Sequence, residues 1–178
     1  MTDAAAITVA LLTPSDVDEY RRVRLRALAE HPEAFRSDAE EEAAKPQQWW
    51  DARLAPRSES NGAFFGAWTA SRRLVGTAGL LLETRRKVCH TATIVGMYVA
   101  PEHAGRGIGA RLLDACIDAA RTDPALEVLY LTVTSTNSGA IRLYERTGFV
   151  AYGLEPRSMR LGARAFDKLM MALHLRPA

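Results

Sequence analysis

Three glycines at alternate positions, Gly105, Gly107 and Gly109, follow the apolar run Val95-Gly-Met97-Tyr98-Val99 and lead into a helix-like segment that begins Ile108-Gly-Ala110-Arg-Leu-Leu113. A residue without Cβ can take positive φ and let an anion approach its N–H group closely. A helix starting near Gly107 adds the positive end of its dipole. The chemistry on offer is pyrophosphate binding. Gly105-x-Gly107-x-x-Ala110 also satisfies a loose dinucleotide fingerprint, but that fingerprint directly follows a strand and needs an acid about 20 residues further on to hold a ribose. Here Pro101-Glu102-His103-Ala104 intervenes, and Asp123 and Glu127 flank the start of the next apolar run. No Gly-Lys-Ser/Thr follows, as a Walker loop requires. A turn with no ligand accounts for one glycine more easily than for three.

A second constellation lies downstream. The β-prone run 126–133 is followed by Asn137-Ser-Gly-Ala140-Ile-Arg-Leu143-Tyr144-Glu-Arg-Thr-Gly148-Phe149, which reads as strand, loop, short helix, turn and strand. Asn137 or Ser138 can cap the helix, Ala140, Leu143 and Tyr144 recur at helical spacing, and Gly148 suits the left-handed residue that stops a helix.

Together the two segments resemble the GNAT family of N-acetyltransferases. The first is similar to the family's acetyl-CoA pyrophosphate motif, Arg/Gln-x-x-Gly-x-Gly/Ala, and the second to its Asn-x-x-Ala-x-x-Leu-Tyr-x-x-x-Gly-Phe segment. The likeness runs from about Leu74 to Leu175 and includes a tail, Tyr152-Gly-Leu-Glu155-Pro156-Arg157 to Asp167-Lys-Leu, similar to the closing hairpin of bacterial members. It implies an α+β fold, a mixed but mostly antiparallel twisted sheet of about six or seven strands with about four helices and splayed central strands.

The implied activity is acetyl transfer from acetyl-CoA to a primary amine, of a small molecule or of a protein N-terminus or lysine, by direct attack through a tetrahedral intermediate. The resemblance carries the cofactor contacts onto Met97, Tyr98 and Val99 of the splayed strand and onto Gly105, Arg106, Gly107, Ile108, Gly109 and Ala110 of the turn. Asn137 and Tyr144 complete the set. Tyr144 takes the place of the general acid that protonates the leaving thiolate. At the first motif position the family's Arg or Gln is Ala104 here, so main-chain amides must carry more of the binding. Many members hold a glutamate about four residues before Met97, where this chain has Thr93. Glu83 and His90 are then the remaining candidates for the base that an ammonium acceptor requires, unless its proton leaves through water.

The acceptor groove of the family points to Phe35, Trp49 and the loop around Arg157. The acidic run Glu40-Glu41-Glu42 suggests a cationic amine, although such a run is ordinarily a solvated face. Members often pair as homodimers through late strands. A second functional class stays open: an acyl-CoA sensor without catalysis, motivated by Ala104 and the missing glutamate.

These residues need elements to hold them. Ile7 to Leu12 reads as a first strand, and Thr13-Pro14-Ser15-Asp16 as a helix start, the helix running to about Glu30 with an arginine-rich solvated face. Residues 33–46 form a mobile or helical connector, a second helix begins at Pro46, and Arg57 to Gly62 make a turn. Residues 63–70 and 74–83 form a hairpin, and 89–100 the strand before the glycine turn. Of the adjacent Trp49 and Trp50, about 100° apart on a helix, one should enter the core.

Composition fits a single domain over 1–178. Lysine and arginine total 23 against 21 acids, without a basic tract for nucleic acid. Cys89 and Cys116 lack metal or redox spacing, so no metal is expected and a reducing cytoplasm is the default. The mildly apolar stretch 4–12 has no preceding basic region and is too short for a membrane span.

Overall fold

The computed structural model describes residues 7–57 and 59–176. Residues 4–6 of the apolar opening, Ser58 of the expected turn and the two ends of the 1–178 domain lie outside the described residues. Seven strands make one sheet: β1 Thr8–Leu11, β2 Gly62–Trp68, β3 Leu74–Leu82, β4 Thr91–Val99, β5 Val128–Thr134, β6 Val150–Leu161 and β7 Arg164–His174. Their order is β1-β2-β3-β4-β5-β7-β6, and only β4 and β5 run parallel. The helices are α1 Val17–Glu30, α2 Ala39–Ala43, α3 Gln47–Arg53, α4 Ile108–Arg121 and α5 Ser138–Arg146. The expected mixed sheet is present. The helix beyond the four expected is α2, formed in the connector because the Asp38 side chain accepts from the N–H groups of Glu40 and Glu41.

Each face of the sheet has its own core. Ile108, Leu112, Leu113, Cys116, Ile117 and Ala120 recur at helical spacing along α4 and are all buried. They pack with Ala78, Leu80, Ile94, Leu131 and Met171 on one face. On the other, Tyr20, Val23 and Ala27 of α1 and Trp50 of α3 cover Phe64, Leu74 and Tyr98. Trp50 is the tryptophan that enters the core; Trp49 stands edge-on beside it.

The arginines of α1 depart from the expected solvated face. Arg24 is buried and forks onto Glu42 of α2 at 2.7 and 3.0 Å. Arg22 holds Glu19 and the Leu74 carbonyl, and Arg26 bridges Glu30 and Glu102. A guanidinium can turn inward only where acceptors meet its fork, and local spacing does not reveal a partner brought in by the fold. Glu42 is thereby withdrawn from the acidic run, and the acidic entrance inferred from 40–42 loses its innermost charge.

Two irregularities open the sheet. Between the pairs Gly79↔Val95 and Thr77↔Tyr98, β4 carries one residue more than β3. The extra residue falls at Gly96, whose φ is 62° and whose carbonyl accepts from Thr77 Oγ1 at 3.0 Å. Such a bulge bends its strand and increases the twist. β4 then pairs with β5 only over Thr91–Thr93 against Val128–Tyr130, and beyond that point, to Val99 and Thr134, the two strands part from each other while each stays paired on its other side, β4 with β3 and β5 with β7. The result is a wedge between them.

Candidate active site

The glycine turn lies just beyond the open end of β4, and its geometry follows from the sequence. Gly105 and Gly107 have φ of 74° and 72°, and a Cβ on either would meet nothing within 4 Å. Backbone conformation, not crowding, selects glycine there. Gly109 serves differently: a Cβ would stand 3.2 Å from Leu143 Cδ2, so its absence lets the start of α4 approach α5.

Among the described residues, none of the N–H groups of 105–110 donates a hydrogen bond; the first to do so is Arg111, to the Gly107 carbonyl. A row of open donors at the start of a 14-residue helix fits a diphosphate. Arg106 is exposed beside it, whereas Ala104 offers no polar side chain.

A cavity of about 260 Å³ fills the wedge, lined by Thr93 and Met97 of β4, Thr134 of β5, Asn137 just before α5, Tyr144 of α5, Phe35 and Lys168. Tyr98 faces the other way, its hydroxyl donating to Glu30 Oε2 at 2.7 Å. A smaller pocket joins Met97 and Val99 to Gly109 and Asn137, so strand edge and glycine turn share one continuous surface. Asn137 caps α5, its Oδ1 accepting from Ala140 N at 3.1 Å. Tyr144 is buried with its ring edge-on to Phe149, and its hydroxyl bonds to no described residue. Burial, and after it the neighbouring Cys116, pushes its pKa up to about 12. It therefore keeps its proton at neutral pH.

The two proposed bases stand elsewhere. Glu83 follows β3, its N–H donating to the Thr91 carbonyl and its carboxylate facing Arg85. The His90 carbonyl accepts from Glu127 and Val128. At the rise of a strand, His90 lies roughly 20 Å before Met97. Both sit at the closed end of the β4–β5 pair, and neither lines the cavity.

Of the acceptor candidates, Phe35 lines the cavity and also a neighbouring groove of about 280 Å³ between the α1–α2 connector and Met159, Arg160 and Leu161 of β6. Trp49 packs on Trp50 and under the Arg53 guanidinium, outside both. Arg157 lines neither; its N–H donates to Asp167 Oδ1 at 2.8 Å.

Two residues that sequence reasoning passed over belong to the site. Gly96 makes the bulge, and a glycine inside a strand pattern is the signal for one. Lys168 is 1% exposed, at a position where β7 alternates Phe166, Lys168 and Met170 on one face. Its Nζ donates to the Ala34 carbonyl at 2.9 Å and to Thr134 Oγ1 at 2.8 Å. Burial, and next the charge of Arg36, holds its pKa below the usual lysine range.

A sheet parted at its one parallel pair, over a glycine-started helix with open amides, is the arrangement expected of the acetyl-CoA-dependent acyltransferases that the two sequence segments resemble. The profile of the Acetyltransferase (GNAT) family matches residues 24–149, and the chain belongs to that family. It is 30% identical over 145 residues to an L-methionine sulfoximine/L-methionine sulfone acetyltransferase of Pseudomonas paraeruginosa, covering 75% of each chain. It is 31% identical over 150 residues to a mycothiol acetyltransferase of Clavibacter michiganensis subsp. michiganensis, covering 82% of this chain and 43% of that one. The chain spans less than half the length of the mycothiol acetyltransferases it matches, 43% and 40% for two of them. The fold superposes with a TM-score of 0.79 on yncA of Salmonella typhimurium, solved with its cofactor acetyl-CoA, at 22% identity and covering 98% and 96% of the two chains. The family resemblance and the fold class read from the residues are both borne out. Among the described residues no helix is long and apolar enough to cross a membrane, and no cluster of His, Cys, Asp or Glu could hold a metal ion.

Proposed function

We propose that this chain transfers the acetyl group of acetyl-CoA to a primary amine. The observation that carries the reading is the continuity of three parts: the open amides of 105–110, the unpaired edge of β4 and the unbonded Tyr144 hydroxyl. Acetyl-CoA supplies the activated acyl thioester. The amides of 105–110 hold its diphosphate, and the main chain of Met97, Tyr98 and Val99 holds its arm as an added strand. N–H groups on that edge also stabilise negative charge as it develops on a carbonyl oxygen. Tyr144, protonated at neutral pH, donates to the leaving sulfur.

No side chain in the cavity serves as base; the amine gives its proton to water. The setting is the cytoplasm. Two copies pair through β6, an edge strand that carries Val150, Tyr152, Leu154 and Leu161, four of the molecule's exposed large apolar residues.

A thiol-release assay over a panel of primary amines and N-terminal peptides tests the transfer, and calorimetry with coenzyme A tests the binding. Tyr144→Phe should lower kcat roughly 100-fold with the affinity for acetyl-CoA unchanged. Absence of heat with both coenzyme A and acetyl-CoA would sink the reading.

A further inference from the structure

The acceptor side of the cavity is lined by three cations, Arg24, Arg36 and Lys168, and by no carboxylate. Two of the three are matched. Arg24 forks onto Glu42 in a buried pair, and Arg36 holds Glu155. Lys168 has only neutral oxygens: the Ala34 carbonyl at 2.9 Å, Thr134 Oγ1 at 2.8 Å and, at 3.5 Å, the Glu33 carbonyl. The last contact is weak because of its length, and the carbonyl it reaches already takes a short bond from the Thr134 hydroxyl at 2.6 Å. An ammonium has three N–H groups. Two are well used here, and the third has no good acceptor. The acids nearest in charge are Glu33, whose carboxylate stands against His31, and Glu155, committed to Arg36.

A buried cation surrounded by neutral oxygens is an incomplete arrangement, since charge taken out of water needs an opposite charge to offset its lost hydration. An acceptor entering this cavity meets that deficit directly. A polyamine would bring a second ammonium against Lys168 and Arg36, where like charges repel. A carboxylate would complete the site.

We infer that Lys168 anchors a carboxylate of the acceptor, so that the amines acetylated here are small amino acids whose amino group is presented to the wedge between β4 and β5. This rests on the transfer reading above and narrows its substrate. Arg24 contributes shape: it lies over the Phe35 ring at 5.0 Å and holds that wall of the cavity. Lys168 is a binding residue in this scheme and takes no part in proton transfer.

The wild-type protein alone supplies the first test. Thiol release from acetyl-CoA is measured with L-amino acids, with the amide of each, with the amine lacking the carboxyl group, and with spermidine. The amide is the weaker base and is more deprotonated at the assay pH, so intrinsic reactivity favours it over the acid. The inference expects at least a tenfold higher kcat/KM for the acid than for its amide, and turnover of spermidine lower still.

Lys168→Met should then raise KM for the amino acid at least tenfold while changing the amide's kcat/KM less than threefold, and Lys168→Arg should restore most of the affinity. Amides or plain amines used as well as the acids would overturn the anchor while leaving the transfer reading intact. So would equal losses for acid and amide in Lys168→Met, which would mark the lysine as a tether of the 33–34 segment only. Turnover of no amine, with coenzyme A still bound, refutes both.

Discussion

Tyr144 and the absence of a base set the pH behaviour. A tyrosine held at about 12 by burial stays neutral across the working range, so loss of its proton brings no falling limb below about pH 12. The rising limb belongs to the acceptor, because only the free amine attacks and the cavity between β4 and β5 has no carboxylate or imidazole in its lining; Glu33 and His31 line the adjoining pocket beside Met97 and are the groups a protein-fixed limb would implicate. Two acceptors whose amine pKa values differ by one unit should therefore give kcat/KM profiles whose rising limbs differ by one unit, measured from pH 6 to 10. A limb fixed at one pH for both would mean that a protein group supplies the base. For folding, a tyrosine pKa raised above its ordinary 10 contributes stability that is fully present below pH 10 and disappears as pH climbs toward 12.

At the scale of elements, β4 and β6 each carry a left-handed residue, and the two make opposite predictions. Gly96 sits at φ 62° with open space where a Cβ would go, so Gly96→Ala adds strain of about 1–2 kcal/mol and no clash. For a chain of this length each kcal/mol moves Tm by about 2–4 °C, so Gly96→Ala should melt lower by about 2–8 °C. It should also weaken acetyl-CoA binding in calorimetry, because the bulge opens the wedge. Arg157 is at φ 51° without glycine's freedom. Arg157→Gly should raise Tm by about 1–3 °C after the entropy lost by a glycine, with the acceptor KM unchanged, since Arg157 lines neither cavity.

The bulge left a local signal that the sequence reading passed over, a glycine interrupting an apolar strand at Val95-Gly96-Met97. The extent of the β4–β5 pairing left none. Register is a property of two strands, and residues 91–99 look equally strand-like on both sides of the point where pairing stops. The glycine turn and the Asn137–Phe149 segment were legible because their chemistry is local, each within one turn and one helix.

For the whole molecule, legibility falls with the chain separation of the parts that meet. Lys168 and the Ala34 carbonyl are 134 residues apart, and Thr134 and Glu33 are 101 apart. No spacing rule reaches across such distances. Glu83 and His90 attracted attention because they neighbour the right strand in sequence, yet the strand carries them to its far end.

The outer face at β6 presents a similar question of what meets what. Val150, Tyr152 and Leu154 are 69%, 57% and 51% exposed on an edge strand, and Tyr130 of β5 adds its ring beside Tyr152 at 5.8 Å. Val150 pairs with Ala172 and Leu154 with Leu169, so the bulge at 152 sets these two apolar side chains on opposite faces and the edge is apolar on both sides; its unpaired main chain is a template for a second strand, and a second copy of β6 offers the same edge under two-fold symmetry. Sedimentation velocity at tens of micromolar should therefore give a dimer of a 19.5 kDa chain. Tyr152→Glu with Leu154→Glu should give a folded monomer, melting somewhat lower through loss of the Tyr130 ring contact and of the dimer's stabilisation. A wild-type monomer at that concentration would refute the pairing and leave the apolar edge of β6 without a partner of its own kind.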